Sequence, residues 1–213
     1  MAYLVDLGRL EEFVKSTCSG DPAHDWWHVV RVRKLSALLA RDMHCDHELV
    51  DLIALLHDTW DWKLDNAPSN RERATKLLRE LGFTEERIRL IVAMVDTIGY
   101  KGSEVPDPES PVEVDVVRDA DRLDAMGAIG IARAFAYGGS RARPIHDPDT
   151  PPIRHRTPEE YRKTGTTTIN HFYEKLLLLR ARMRTKRGKE LARGRHQFMI
   201  MFLEEFFAEW DAP

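Results

Sequence analysis

The amino-acid sequence predicts an all-α fold, arranged as a single-domain helical bundle. Apolar residues recur at spacings of three and four through most of the chain, as between Leu49 and Leu56, and this periodicity is typical of helices with one buried face. The alternation expected of a strand is limited to the segment from Val112 to Val117. We predict a helix there too, because Pro111 suits a first helical turn and helix-forming residues continue through Met126.

Turn-forming residues separate the predicted helices. The Gly-Asp-Pro segment at residues 20–22 is expected to close the first helix, and the stretch from Asn66 to Ser69 to separate two more. A proline-bearing loop is expected from Lys101 to Pro111. Residues 138–158 hold five prolines and six arginine or histidine residues outside any apolar period, which predicts a long loop.

One domain is predicted over residues 1–213, since the chain has no internal repeat and no shift in composition. Its core is expected at about residues 22–130, followed by the long loop at about 138–158. Two C-terminal helices, roughly Glu159 to Met183 and Thr185 to Trp210, are expected to pack on this core.

Composition excludes several classes of protein. A net charge of −3 and a sequence pI near 6.3 argue against stable binding to nucleic acid through a broad basic surface. Cys18 and Cys45 are too few for a disulfide framework or a cysteine-rich zinc site, which favours a reducing, cytoplasmic location. The first residues lack a signal-peptide pattern and no apolar run approaches about 20 residues, so membrane association is not expected.

Residues that bind metals are concentrated in three segments. These are His24–His28, the His57-Asp58 doublet and Asp119–Asp124. Imidazole nitrogens mixed with carboxylate oxygens suit Mn²⁺, Fe²⁺, Co²⁺, Ni²⁺ or Zn²⁺, and additional carboxylates favour Mn²⁺ or Mg²⁺. The three segments therefore indicate a divalent-cation site without thiolate ligands.

The doublet is locally unusual, because two ionisable residues follow the apolar run from Leu52 to Leu56. Burying a carboxylate without a partner costs several kcal/mol, and a bound metal would remove that cost. The alternative is that His57 and Asp58 cap the end of a helix and bond to each other or to the backbone. Taken alone, the doublet leaves both interpretations open.

The complete pattern, a histidine, a His-Asp doublet and a distant aspartate, resembles that of the HD superfamily of metal-dependent phosphohydrolases. The resemblance implies an all-α fold of the HD-domain type. It also implies that the metal ligands are His28, His57, Asp58 and Asp121. Three further segments are similar to the YedJ and YpgQ group of this superfamily, and the likeness extends over nearly the whole chain. These segments are His24–Val32, Arg118–Gly130 and Asn170–Leu176.

The same resemblance implies a divalent-metal-dependent phosphohydrolase with a small-molecule nucleotide as substrate. The implied reaction converts a nucleoside triphosphate to monophosphate and pyrophosphate by attack of a metal-bound water. A nucleotide monophosphate phosphatase and a non-catalytic nucleotide-binding regulatory module are the alternatives, and a homodimer is left open. One ion is expected, because two-metal members carry extra histidines and none lies between Asp58 and Asp121. Mn²⁺ is expected first, with Mg²⁺, Ni²⁺, Fe²⁺, Co²⁺ and Zn²⁺ as alternatives.

Two aspartates are candidate catalytic residues. A bound divalent ion lowers the pKa of its water toward neutrality, and that water still has to be oriented or deprotonated. Asp61 lies three residues after Asp58, on the same predicted helical face, and Asp124 lies three residues after Asp121. Asp124 can instead orient a ligand, and Asp61 can be a surface residue of the last helical turn.

Phosphate substrates also require cations near the metal. The candidates are Lys63, Arg122, His171 and Lys175. His171 and Lys175 are four residues apart and share a predicted helical face. That face either binds the substrate or is an ordinary solvated face. Trp26 and Trp27 are expected in the core, and the alternative is that one of the two rings lines the pocket as a platform for a base. The arginines of the 138–158 loop either cover a triphosphate as a lid or remain solvated.

Overall fold

The computed structural model describes residues 7–18, 25–61, 66–163 and 166–211. All regular secondary structure within these ranges is helical. These ranges contain no strand, which confirms the predicted all-α fold class. None of their helices combines the length and the apolar character needed to cross a bilayer. The helices are α1 (Gly8–Thr17), α2 (Trp26–Ala40), α3 (His47–Leu56), α4 (Ala67–Glu80), α5 (Glu85–Val95), α6 (Val112–Asp124), α7 (Gly127–Ser140), α8 (Pro158–Lys163), α9 (Thr168–Glu174), a 3₁₀ helix (Leu176–Arg182) and α10 (Lys186–Trp210).

Most of the predicted breaks coincide with observed helix ends. The stretch predicted to separate two helices contains the start of α4 at Ala67, and residues 101–111 contain no helix. The valine-rich segment 112–117 begins α6, so the helix predicted there is confirmed. The break predicted at residues 20–22 lies outside the described residues.

The helix predicted from Glu159 to Met183 is wrong, because this segment forms α8, α9 and the 3₁₀ helix. Thr167 begins α9 by accepting a hydrogen bond from the backbone N–H of Asn170 at 3.1 Å. Lys175 ends it, since its backbone angles (φ −141°, ψ −61°) lie outside the helical region. The last predicted helix is confirmed as α10.

The chain forms two compact units. The first comprises Met1–Gly99 and Pro108–Ala120, and the second comprises Tyr100–Asp107 and Asp121–Pro213. The division falls within α6, between Ala120 and Asp121. The assignment of residues 1–213 to one domain stays a prediction.

In the first unit, α3 packs against α1, α2 and α5, and its residues from Leu52 to Leu56 are fully buried. Arg33 of α2 donates to both carboxylate oxygens of Asp51 in α3, at 2.8 and 2.7 Å, and to Glu11 in α1 at 2.6 Å. Burial by itself lowers the pKa of Arg33, but the two carboxylates raise it, so the guanidinium stays charged. A bidentate ion pair therefore adds to apolar packing in aligning α2 with α3.

Arg118, for which the sequence predicted no role, anchors α6 within the first unit. Its side chain is 1% exposed, and it donates to the carbonyl of Thr97 and to Ser110 Oγ, both at 2.9 Å. The positions that share its helical face in the sequence are Val114, Asp115, Asp121 and Arg122, a mostly charged set that gives no signal of burial. The burial of this guanidinium is evident only from its three-dimensional contacts.

In the second unit, α10 packs against α7 and the 3₁₀ helix, and α9 packs against the same two elements. Phe172 of α9 stacks on Phe202 of α10 with a ring-centroid distance of 5.6 Å. Phe135 of α7 meets Phe202 edge-on at 5.9 Å. Helices α7, α9 and α10 therefore share one aromatic cluster, with ring geometries that stabilise aromatic pairs.

The loop predicted at residues 138–158 starts later, because α7 extends through Ser140. Three hydrogen bonds within the second unit fix the position of this loop. They run from Asn170 Nδ2 to the Thr150 carbonyl (2.7 Å), from the Ile153 N–H to Glu174 (2.9 Å) and from the His155 N–H to Ser103 Oγ (2.6 Å). These bonds favour a fixed segment over a mobile lid, since opening would break all three.

Two glycines of α7 should respond oppositely to alanine substitution. A Cβ at Gly130 would lie 2.2 Å from the backbone oxygen of Ala125, whereas a Cβ at Gly139 has no atom within 4 Å. We expect Gly130→Ala to destabilise the protein by about 1–3 kcal/mol through overpacking. Gly139→Ala should stabilise it by about 0.4–1 kcal/mol, because alanine restricts the unfolded chain. Urea unfolding followed by circular dichroism measures both, and equal effects would contradict the packing at Gly130.

Candidate metal centre

His28, His57 and Asp58 lie together in the first unit. His28 Nε2 is 3.0 Å from His57 Nε2 and 3.2 Å from Asp58 Oδ2, and His57 Nε2 is 3.7 Å from the same carboxylate oxygen. The side chains of His28 and His57 are buried, while that of Asp58 is 19% exposed. Within the described ranges, these three residues form a group that could hold a metal ion. The Asp58 Oδ2 atom that faces both imidazoles is itself buried, so the three donor atoms lie away from water.

Local backbone features place the two imidazoles. Asp25 begins α2 by accepting a hydrogen bond from the backbone N–H of His28 at 2.8 Å, which puts His28 in the first turn. Helix α3 ends at Leu56, and the following His57 has Nδ1 2.8 Å from the carbonyl of Ala54. A carbonyl only accepts, so Nδ1 carries the hydrogen and Nε2 keeps its lone pair for the cluster. Capping of the helix end and metal ligation are therefore compatible at His57.

The three donor atoms fit a divalent ion. Two donors about 2.1 Å from one ion are separated by about 3.0 Å at a 90° angle and about 3.6 Å at 120°. The observed separations of 3.0, 3.2 and 3.7 Å span this range. Two imidazole nitrogens with one carboxylate oxygen also form a donor set suited to Mn²⁺, Fe²⁺, Co²⁺, Ni²⁺ and Zn²⁺.

Cys18, at the end of α1, is electrostatically coupled to this cluster. Burial raises the pKa of its thiol to about 11, and the negative charge of Asp58 raises it too, against the opposing hydrogen bond with Thr17. The thiol is consequently protonated at neutral pH, and it is the thiolate form of cysteine that binds metals. The donors of the cluster are therefore nitrogen and oxygen atoms, as the sequence predicted.

The two aspartates of the last turns of α6 lie in the second unit. Asp121 is half-buried there, and its role as fourth ligand stays a prediction. Asp124 is 1% exposed and accepts a hydrogen bond from Arg133 Nη1 at 3.0 Å. This contact with arginine favours a structural or orienting role for Asp124 over proton transfer.

Asp61 does not share a helical face with Asp58, so that part of the prediction is wrong. Helix α3 has already ended at Leu56, and residues 57–60 form turns. The backbone N–H of Asp61 donates to the carbonyl of Asp58 at 3.3 Å, so the chain reversal keeps the two residues close. Proton transfer by Asp61 stays a prediction.

The predicted phosphate-binding residues occupy different environments. Lys63 lies outside the described residues, as does His24. Arg122 is 3% exposed and donates to Asp107 Oδ2 and to the carbonyl of Arg182, both at 2.7 Å. These contacts favour a structural role for Arg122.

Lys175 is the C-cap of α9, and its backbone N–H donates to the carbonyl of His171 at 3.0 Å, so the two residues lie one turn apart at the end of the helix. The Lys175 ammonium group lies 5.1 Å from the ring centroid of Tyr100, a cation–π contact that was not predicted from the sequence. His171 is half-buried within α9. Phosphate binding by these two residues stays a prediction.

The tryptophans of α2 differ from the predicted core pair. Trp26 is half-buried, but Trp27 is 64% exposed, so the core assignment is wrong for Trp27. Trp27 directly precedes His28, and consecutive Cα atoms are about 3.8 Å apart. An exposed indole therefore lies on the same helical turn as one of the candidate ligands.

The described part of the chain is all-helical, and the convergence of two buried imidazoles and a carboxylate within it is typical of helical proteins with a divalent-metal centre. The HD domain profile matches residues 26–126. The uncharacterised protein YpgQ of Bacillus subtilis is 30% identical over 217 residues, which cover 100% of this chain and 97% of YpgQ. This chain belongs to the HD-domain family.

Solved structures of relatives agree with this assignment. A protein from Lactobacillus plantarum is 36% identical with a TM-score of 0.88, and an HD-superfamily hydrolase from Bacillus thuringiensis is 34% identical with a TM-score of 0.72; each match covers 97% of both chains. The structure of Bacillus subtilis YpgQ in complex with ADP matches at 29% identity and a TM-score of 0.75, covering 98% of both chains. The fold is that of HD-superfamily hydrolases, and HD domains bind divalent metals.

Removal of one imidazole should abolish metal binding. We expect His57→Ala to weaken Mn²⁺ affinity by more than about 100-fold, because loss of a ligand should exceed the 10- to 100-fold effect of losing a supporting residue. Isothermal titration of metal-free protein measures this effect. The matched control is His44→Ala, since His44 is an exposed histidine in the turn after α2. Wild-type affinity in the His57 variant would contradict the assignment of this centre.

Proposed function

We propose that the protein is a divalent-metal-dependent phosphohydrolase that converts a nucleoside triphosphate to monophosphate and pyrophosphate. The observation that carries this proposal is the convergence of His28, His57 and Asp58 in a chain with the HD hydrolase fold. The ADP complex of the relative YpgQ supports a nucleotide as the substrate class. Mn²⁺ is the ion we propose, because the cluster combines imidazole with carboxylate donors.

His28, His57 and Asp58 would hold the ion, with Asp121 as the fourth ligand that the family pattern predicts. When bound, a divalent ion supplies Lewis acidity, which polarises a phosphoryl oxygen and lowers the pKa of water. The His57 ring is oriented for this task by its bond to the Ala54 carbonyl. The Asp58 carboxylate offsets part of the positive charge and is the member of the cluster most exposed to solvent.

Asp61 is the proposed acceptor of the water proton, since its backbone is bonded to that of Asp58. In the proposed step, a water oxygen bonds to the α-phosphorus and the bond to the bridging oxygen breaks. One proton passes to the Asp61 carboxylate, and pyrophosphate leaves with the bridging oxygen. Lys63, His171 and Lys175 are proposed to bind phosphate oxygens as cations or hydrogen-bond donors.

The activity test uses metal-free protein reloaded separately with Mn²⁺, Mg²⁺, Ni²⁺ or Zn²⁺ and supplied with nucleoside mono-, di- and triphosphates. Phosphate and pyrophosphate are measured separately. We expect pyrophosphate from triphosphates, and Asp58→Asn should lower kcat/KM by about 10³-fold, an effect of the size seen when a key electrostatic group is removed. His44→Ala should retain wild-type activity.

The products distinguish this function from its alternatives. Phosphate released from monophosphates would replace the proposal with a nucleotide monophosphatase. Tight nucleotide binding without turnover under any metal would indicate a regulatory module. Undiminished turnover by Asp58→Asn would contradict the proposed centre.

Trp27 should contribute to recognition of the base. Stacking of a base on an aromatic side chain is worth about 1–3 kcal/mol, so Trp27→Leu should raise KM for nucleoside triphosphates by about tenfold. Hydrolysis of inorganic tripolyphosphate, which has no base, should not change. Trp27→Phe is the matched control, because it keeps an aromatic face. Equal effects on both substrates would show that Trp27 acts on the fold or the phosphates instead.

A further inference from the structure

The exposed side of α10 separates charges by sign along the helix. Its first half exposes four basic residues, and its second half and C-cap expose four acidic ones. The basic residues are Lys186, Arg187, Lys189 and Arg193, and the acidic residues are Glu204, Glu205, Glu209 and Asp211. Glu190 is the exception, and it is already paired with Arg187 at 3.0 Å. The exposed side is therefore positive at one end and negative at the other.

Large apolar side chains lie between the two charged halves. Phe198 is 49% exposed and Met201 is 56% exposed. Together with Gly194 and Glu205 they follow a four-three-four spacing, which places all four within a sector of about 60° on the helix surface. This spacing is that of the contact seam between two packed helices. The seam contains a glycine, which allows close approach of a second helix.

The arrangement is complementary to itself when reversed. If a second α10 lies antiparallel with Phe198 and Met201 at the centre, each basic half faces an acidic half. Arg193 and Glu204 lie on the same flank, about 20° apart around the helix, on opposite sides of the apolar centre. We infer that two copies of this chain associate through α10 in this antiparallel arrangement, with Arg193 of each copy opposite Glu204 of the other.

A second copy is the occupant favoured by these features. In a two-fold symmetric contact, the same patch serves both partners and must complement itself, and α10 meets this requirement in both charge and apolar content. A stable interface buries about 800 Å² on each side. The exposed apolar centre of the seam consists of Phe198 and Met201.

Charge-reversal variants of the 213-residue chain test this arrangement. Their association is measured by sedimentation velocity at protein concentrations up to about 100 µM, where a functional dimer should be populated. The wild type should be dimeric and Met201→Glu monomeric. Arg193→Glu and Glu204→Arg should each weaken the dimer by about tenfold or more, because like charges then face each other. A mixture of these two variants should form a heterodimer, and the double variant R193E/E204R should dimerise as the wild type does.

Damage to the fold would not produce this recovery. Arg89→Glu, at an exposed position of α5, is the charge-reversal control and should leave the dimer intact. A wild type that is monomeric at all concentrations would overturn the inference. It would do so even if α10 were then found to bind a different partner. A dimer unaffected by Met201→Glu and by both single reversals would also overturn it, as would failure of the mixed variants to pair.

Discussion

The candidate centre depends on polar groups that follow directly after a fully apolar helix. Helix α3 buries Leu52 to Leu56 completely, and His57 continues into the same interior with its ring against His28. Burying imidazole and carboxylate donors this close is unfavourable unless a cation or hydrogen bonds compensate. The bidentate pair between Arg33 and Asp51 aligns the two helices that carry these imidazoles. A divalent ion is the compensation that all three donors fit.

Periodicity predicted the helices well where burial and helix continuity coincide, as in α3 and α10. It failed between residues 159 and 183, where buried residues such as Phe172, Leu176 and Leu179 keep a helical spacing across a backbone break. Apolar spacing reports which side chains are buried. It does not report the backbone angles at Lys175, which end α9. The break depends on local geometry that the spacing does not contain.

The apolar context marked only His57 and Asp58 as unusual, and it left capping and metal ligation both open. The complete ligand set, including His28, followed from the resemblance to the HD superfamily. The prediction for Asp61 failed in its geometry because the helix ends at Leu56, five residues before Asp61. Arg122 was a reasonable cation by position, but only three-dimensional contacts show that Asp107 and a carbonyl occupy its guanidinium. Spacing therefore identifies which residues are chemically capable, whereas burial and pairing decide which of them are available.

The metal centre and the surface of α10 rest on different electrostatics. At the centre, the donors are largely removed from water, so their interactions are weakly screened and strongly dependent on distance. On α10 the charges are exposed to solvent. Dissolved ions screen the interactions between such charges beyond about 8 Å at physiological ionic strength. Such charges stabilise a single copy little, since exposed ion pairs contribute about 0–1 kcal/mol. Their sorting by sign therefore has more effect on the choice and orientation of a partner than on folding.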